Sequence, residues 1–222
     1  MRLRRLFLVL AVLLLSLLVA SSAFATSVQL TYEGHEGAQP QNGSPYVGYP
    51  YYLSINGSTN YTAMICDSFD NNVYKGETWT ATATPFLQGI ASSMFGSSMT
   101  LDYKAAGLMF LSVLDNTLNS NTAQWAIWGL FSNFKSSPQG LAYFNANPIF
   151  ASTEATYLAL AASASNSAFN GLVLYTPLNA KPGVGPQEFI GYSPVPEPSS
   201  LLLLGTGLVG LAGTLRRKFS RS

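Results

Sequence analysis

Two residues stand out for chemistry, the thiol of Cys66 and the amide of Gln124. Cys66 is the single cysteine of 222 residues, so no internal disulfide can form. It lies in the apolar context Met64-Ile65-Cys66. There a free cysteine behaves as a small hydrophobe, and pairing with a second chain is the other ordinary role. Gln124 falls in the run Ala123-Gln124-Trp125-Ala126-Ile127-Trp128. Helical spacing places it on one face with Ile127, Trp128 and Phe131. Burying a glutamine amide on such a face without partners costs about 1–3 kcal/mol. Gln124 therefore needs either a local hydrogen bond or a task.

The remaining candidates carry less chemistry. His35 is the one histidine, flanked by Glu33 and Glu36 inside a segment, 34–48, rich in Gly, Pro, Asn and Gln. A solvated loop is preferred there over a metal site. The run Asp67-Ser68-Phe69-Asp70-Asn71-Asn72 is rich in oxygen but lacks the spacing and terminal bidentate Glu of a calcium loop, so it reads as capping and turn residues. The acid pairs Asp67/Asp70 and Glu33/Glu36 have no spacing or setting specific to glycoside hydrolysis. No Gly-x-Ser-x-Gly pattern, phosphate-binding glycine loop or Cys/His cluster is present. The expectation is a protein with no catalytic residue, no metal and no cofactor. Tyr46, Tyr49, Tyr51 and Tyr52 form either an exposed stacking platform for polysaccharide or a sheet edge packed by its tyrosines.

Around Cys66 and Gln124 the chain resembles the Cys–Gln thioester domains of bacterial surface adhesins. Those carry a Cys near an acidic residue on a strand and, later, apolar-Gln-x-x-apolar-Trp on a helix. Ala123, Gln124, Ile127 and Trp128 match the second motif; Cys66 followed by Asp67 answers the first, with Ile65 where an aromatic or Leu is usual. The resemblance spans residues 61–134. It implies that the Cys66 thiolate attacks the Gln124 carbonyl and releases ammonia, leaving an acyl group for a later amine or hydroxyl. A buried structural Cys and a locally bonded Gln are the alternative reading.

Strands are expected at 27–32, 51–55, 61–67 and 77–84, with a hairpin-type turn at Asn56-Gly57 and a stop at Pro85. The apolar period then becomes helical. It predicts a helix over 101–114 closed by Asp115-Asn116, and a second over 123–134 capped by Thr122. An irregular segment between Pro138 and Pro148 follows, then an Ala-rich helix from Ser152 to about residue 164. Closing strands are expected at 172–176 and 188–192. The fold class is α+β: a single β-rich domain with strands at both ends and about three helices between.

The ends of the chain read as export and anchoring signals. Arg2, Arg4 and Arg5 precede the apolar run 6–19, and Ala23-Phe24-Ala25 gives a small-x-small cleavage pattern, so 1–25 reads as a secretory signal peptide. Residues 26–194 would form the extracytoplasmic domain. Between Thr26 and Val195 stand only Lys75, Lys104, Lys135 and Lys181 against nine carboxylates, which leaves the body acidic and makes nucleic acid an unsuitable partner.

Residues 195–222 read as a tail of three parts. Val195-Pro196-Glu197-Pro198 holds the backbone extended. The uncharged stretch 199–215 reaches the lower limit of about 17 residues for a transmembrane helix. Arg216, Arg217 and Lys218 then form a stop-transfer cluster at the head of a basic cytoplasmic tail, 216–222. These parts in this order resemble a PEP-CTERM sorting tail. That resemblance implies an exosortase as partner, a precursor held in the inner membrane, and delivery to the cell surface or extracellular polysaccharide matrix of a Gram-negative bacterium. The combined expectation is a non-enzymatic exported protein, structural or adhesive, contacting polysaccharide or a surface protein. A secreted carbohydrate-active enzyme delivered by the same tail is the alternative.

Overall fold

Residues 25–35, 43–46, 48–132 and 134–193 are described by a computed structural model. Six strands occur among them: β1 (Thr26–Gly34), β2 (Tyr51–Ile55), β3 (Thr62–Cys66), β4 (Thr78–Pro85), β5 (Leu172–Pro177) and β6 (Phe189–Tyr192). They close into a barrel in the order β1-β2-β3-β6-β5-β4, and every neighbouring pair is antiparallel. Closure leaves no unpaired sheet edge, which an exported chain would otherwise have to protect.

The walls of the barrel differ in sequence because they face different surroundings. In β1 the apolar Val28, Leu30 and Tyr32 are buried, and they alternate with exposed or half-exposed Ser27, Gln29 and Thr31. β3, β5 and β6 read instead as continuous apolar runs, as strands covered on both faces must. Met64, Cys66, Tyr175 and Phe189 belong to a cluster with Leu30 and Leu53. Their neighbours Ile65, Leu174 and Ile190 turn to a second cluster made by the helices. The β2–β3 connection starts at Asn56-Gly57, where φ values of 52° and 73° suit a hairpin turn.

Five helices occur among the described residues: α1 (Phe86–Gly89), α2 (Thr100–Leu114), α3 (Ser120–Phe131), α4 (Pro138–Ala146) and α5 (Pro148–Ser163). α2, α3 and α5 pack on one another. The helical cluster is built from Tyr103, Met109 and Phe110 of α2, Ala126 and Ile127 of α3, and the outward residues of β3, β5 and β6. The α+β class and the β-rich body stand, with five helices where three were expected.

Several expectations are corrected. Asn119, not Thr122, caps α3: its side chain accepts from the Thr122 N–H at 3.1 Å, which starts the helix earlier. α3 ends at Phe131, short of Phe134, whose φ is 55°. The segment after Pro138 is a helix, because Ser137 accepts from the Gly140 N–H at 2.9 Å and a proline suits the first helical turn. The same preference starts α5 at Pro148, ahead of Ser152. Pro85 pairs with Val173 inside β4 and does not stop the strand before it. Among the described residues no helix is long and apolar enough to cross a membrane; the expected span at 199–215 and the expected signal peptide fall outside them.

Phe110 is fully buried in the helical cluster, and the Tyr49 ring meets it edge-on at 5.7 Å. Phe110→Ala is expected to lower unfolding stability by about 3–5 kcal/mol, read from the urea midpoint. A loss below about 1 kcal/mol would contradict its place in a closed core.

Candidate functional site

β3 ends at Cys66, and α3 meets the barrel there through Gln124. Backbone pairing holds Cys66 opposite Phe189 of β6, while capping at Asn119 fixes the rotation of α3. That rotation sends Trp125 and Trp128 into the barrel cluster and Ala123, Ala126 and Ile127 into the helical one. Gln124 stands between the two cores, fully buried, as is Cys66.

The structure brings these two residues together. The Gln124 Nε2 donates to the Cys66 carbonyl oxygen at 2.6 Å. The other half of the amide, Gln124 Oε1, is buried and has no hydrogen-bond partner among the described residues. An orphaned buried carbonyl costs about 1–3 kcal/mol. Gly48 lies directly over this side chain: a Cβ at that position would fall 2.4 Å from Gln124 Cγ and 3.5 Å from Cδ. Only a residue without a side chain lets the backbone seal the amide so closely.

The thiol is neutral at rest. Burial, followed by the neighbouring Asp67, pushes the Cys66 thiol well up from its ordinary value, and Trp128 and Ser68 oppose that rise. The Sγ–H donates to the Ser68 carbonyl at 3.5 Å, with the Ser68 hydroxyl at 4.0 Å. The buried Trp128 indole N–H lies beside the sulfur and favours the thiolate. Around them the rings interlock: Trp125 meets Trp128 edge-on at 5.2 Å and stacks on Phe150 at 5.8 Å, and Phe69 meets Trp128 at 5.1 Å. The Trp125 indole N–H is satisfied by the Ser44 hydroxyl at 3.0 Å. Such a wall keeps water from the thiol and amide. Cys66 is fully buried and so presents no exposed thiol to a second chain.

Sequence reasoning missed Glu188. It stands just before β6, is fully buried, and lies beside the equally buried Asp67. The Glu188 carboxylate accepts hydrogen bonds from the Tyr103 and Thr176 hydroxyls and, at 3.0 Å, from the Met94 N–H. The Asp67 oxygens receive none. Both carboxyls are pushed up, mainly by burial, and for Asp67 also by Glu188. Three donors serve Glu188, while burial and the Glu188 charge push Asp67 well up, so Asp67 is the member that keeps a proton. The available signal was an acidic residue at the head of the apolar run Phe189-Ile190, but its meaning depends on the β3–β6 pairing.

The other candidates are placed as follows. Asp70 accepts from the hydroxyls of Ser132 and Ser136 and ties the loop after β3 to the exit of α3, a turn role. With Asp67 sealed inside, Asp67/Asp70 do not form an exposed pair. Burial, then Asp102, pushes Glu154 up to about 7; its Oε1 packs over Gly129. His35 Nδ1 bonds the Tyr32 hydroxyl, while Glu36 falls outside the described residues. The four tyrosines share no platform. Tyr51 is buried inside the barrel, Tyr49 packs on Phe110, Tyr46 lies against Phe69 and Trp125, and Tyr52 alone turns outward from β2.

Residues 194–218 match the family model of the PEP-CTERM protein-sorting motif. The match contains Val195, Pro196, Glu197, Pro198, Arg216, Arg217 and Lys218, all outside the described residues. The motif implies an exported protein, processed by an exosortase and sorted to the cell surface from a membrane-anchored precursor. No curated protein and no solved structure matches this chain.

The acid pair generates a pH prediction. Because the Asp67 value is raised in the fold, its contribution to stability is fully present below about pH 4, the ordinary aspartate range, and is lost as the pH rises through the elevated value. Asp67→Asn, which stays neutral, is expected to flatten the fall of the urea midpoint between pH 4 and 8 and to raise stability at the alkaline end. An unchanged slope would remove the assignment of the proton to Asp67.

Proposed function

We propose that this protein is a non-enzymatic surface or matrix protein whose body carries an internal thioester between Cys66 and Gln124, used for covalent attachment. The observation that supports the reading is the 2.6 Å contact between the Gln124 amide and the Cys66 backbone, inside a sealed aromatic wall, with Gln124 Oε1 left unpartnered. The sorting motif supports the address, since a device for attachment serves a chain delivered to the outside.

The chemistry balances without a co-reactant. The Cys66 sulfur attacks the Gln124 carbonyl carbon, a C–S bond forms and the C–N bond breaks. The thiol proton leaves with the amide nitrogen as ammonia. Trp128 and Ser68 ease the passage through thiolate, and burial protects the product from hydrolysis. An amine or hydroxyl on another surface molecule then displaces the sulfur, which regains a proton as thiol.

Intact mass of the exported body, purified without reductant, tests this. The expected mass lies ~17 Da below the value calculated for the processed chain, and the deficit disappears in Cys66→Ala and in Gln124→Ala. Methylamine treatment is expected to abolish the deficit and free one titratable thiol. An unmodified mass with a silent, buried thiol would leave Cys66 and Gln124 as packing residues and end the covalent reading. The same spectrum locates the cut near Pro196-Glu197-Pro198.

A further inference from the structure

The outer face of the barrel carries a second feature, separate from the buried pair. An open cleft of about 620 Å³ is lined by Glu33, Tyr52, Thr59, Asn60, Tyr61 and Lys75. Strand alternation produces it. Tyr32 points inward in β1, so Glu33 points out; Tyr51 and Leu53 point inward in β2, so Tyr52 points out. The β2–β3 connection contributes Thr59, Asn60 and Tyr61, and the approach to β4 contributes Lys75. The volume falls within the ordinary range of ligand pockets, roughly 300–1,000 Å³.

Its lining has one specific chemistry. Tyr61 is 53% exposed, a large ring left to solvent. The hydroxyls of Tyr52 and Tyr61 and the amide of Asn60 make no hydrogen bond among the described residues, so ring faces and polar groups are both available. The connection is held instead through its backbone, with the Asn60 N–H on the Ser58 hydroxyl at 3.1 Å. Flat rings beside hydroxyl and amide groups suit a ligand with C–H faces and many hydroxyls. Glu33 and Lys75 bring opposite charges to the cleft, so it offers no net field to an anionic ligand. The closed barrel presents no free strand edge, which excludes a peptide added as a further strand.

We infer that this cleft is a binding site for a neutral oligosaccharide segment, with Tyr61 and Tyr52 as stacking rings and Asn60 as a hydroxyl-reading amide. The site stands independently of the Cys66–Gln124 reading.

The test is isothermal titration of the full chain, kept in solution with a zwitterionic, sugar-free detergent. The probes are neutral glucose, mannose and galactose hexasaccharides, with a uronic-acid hexasaccharide as the charged counterpart. At least one neutral probe is expected to bind tighter than about 1 mM and better than the uronate. Tyr61→Ala, at an exposed position that does not support the fold, is expected to weaken that binding by about tenfold or more, equivalent to about 1.4 kcal/mol. Asn60→Ala is expected to weaken it less, and Cys66→Ala to leave it unchanged. Thermal unfolding checks that each variant is folded, and Tyr61→Ala decides if Tyr52→Ala proves unstable. No binding of any neutral probe, tighter binding of the uronate, or binding indifferent to Tyr61→Ala would overturn the proposal. The Cys66→Ala arm and the mass measurement keep a failure here distinct from a failure of the thioester reading.

Discussion

The hydrogen bond from Gln124 Nε2 to the Cys66 carbonyl joins the two halves of the body. On one side is a closed barrel with its own aromatic interior, on the other a helical layer with a separate core. α3 belongs to both, because its two tryptophans face one cluster and its alanines and Ile127 the other. A polar residue at the centre of such a helix costs stability unless it is satisfied. Gln124 is satisfied on its nitrogen alone. A leucine there would fill similar space without stranding a carbonyl, so core packing by itself does not account for a glutamine.

The same end of the barrel holds a second departure from simple packing, the carboxyls of Asp67 and Glu188. Their cost is limited in a particular way. Three donors converge on Glu188, so its charge is solvated by the protein, and the proton retained by Asp67 avoids a second buried charge. The pair also fixes local geometry. The Asp67 N–H reaches the Glu188 carbonyl at 3.3 Å and the Glu188 N–H reaches the Ser68 hydroxyl at 3.0 Å, so the pairing continues just past Cys66 through one backbone and one side-chain bond. The Ser68 carbonyl that receives the thiol is positioned by this continuation and is shared with Gln187 Nε2 at 3.3 Å.

Much of this was legible in the sequence where the signal is local. Strand β2 occupies Tyr51–Ile55 as expected, and Asn56-Gly57 turns as its φ preferences require. The pairing of Cys66 with Gln124 was legible only through a motif resemblance, since 58 positions separate them and no local rule links a strand end to a helix face. Barrel closure was not legible: it depends on β1 meeting β4 and β3 meeting β6, long-range contacts that leave no periodic trace. α4 was missed because Pro138 was weighed as a breaker, while Ser137 beside it makes the same proline a helix start. The tyrosines misled because a cluster in sequence is divided by a pleat in space, and Tyr52 finds its neighbour in Tyr61 across the turn.

The two proposed sites have opposite relations to solvent, and that difference bears on how they would act. Cys66 and Gln124 are fully buried, so no external nucleophile reaches a bond between them while the wall of Gly48, Trp125 and Trp128 is closed. Sealing preserves an activated acyl group but also keeps it from its target, so reaction requires local opening. Among the described residues of the segment above Gln124, the Ser44 hydroxyl accepts from the Trp125 indole and the Tyr46 hydroxyl meets Ser137 at 2.8 Å. The cleft beside Tyr61 needs no opening. Reversible contact there would hold the protein near a partner for long enough that rare opening events count, because tethering raises the effective concentration of the second encounter. Slow covalent capture is thus compatible with a sealed bond, provided that the first contact is made elsewhere on the surface.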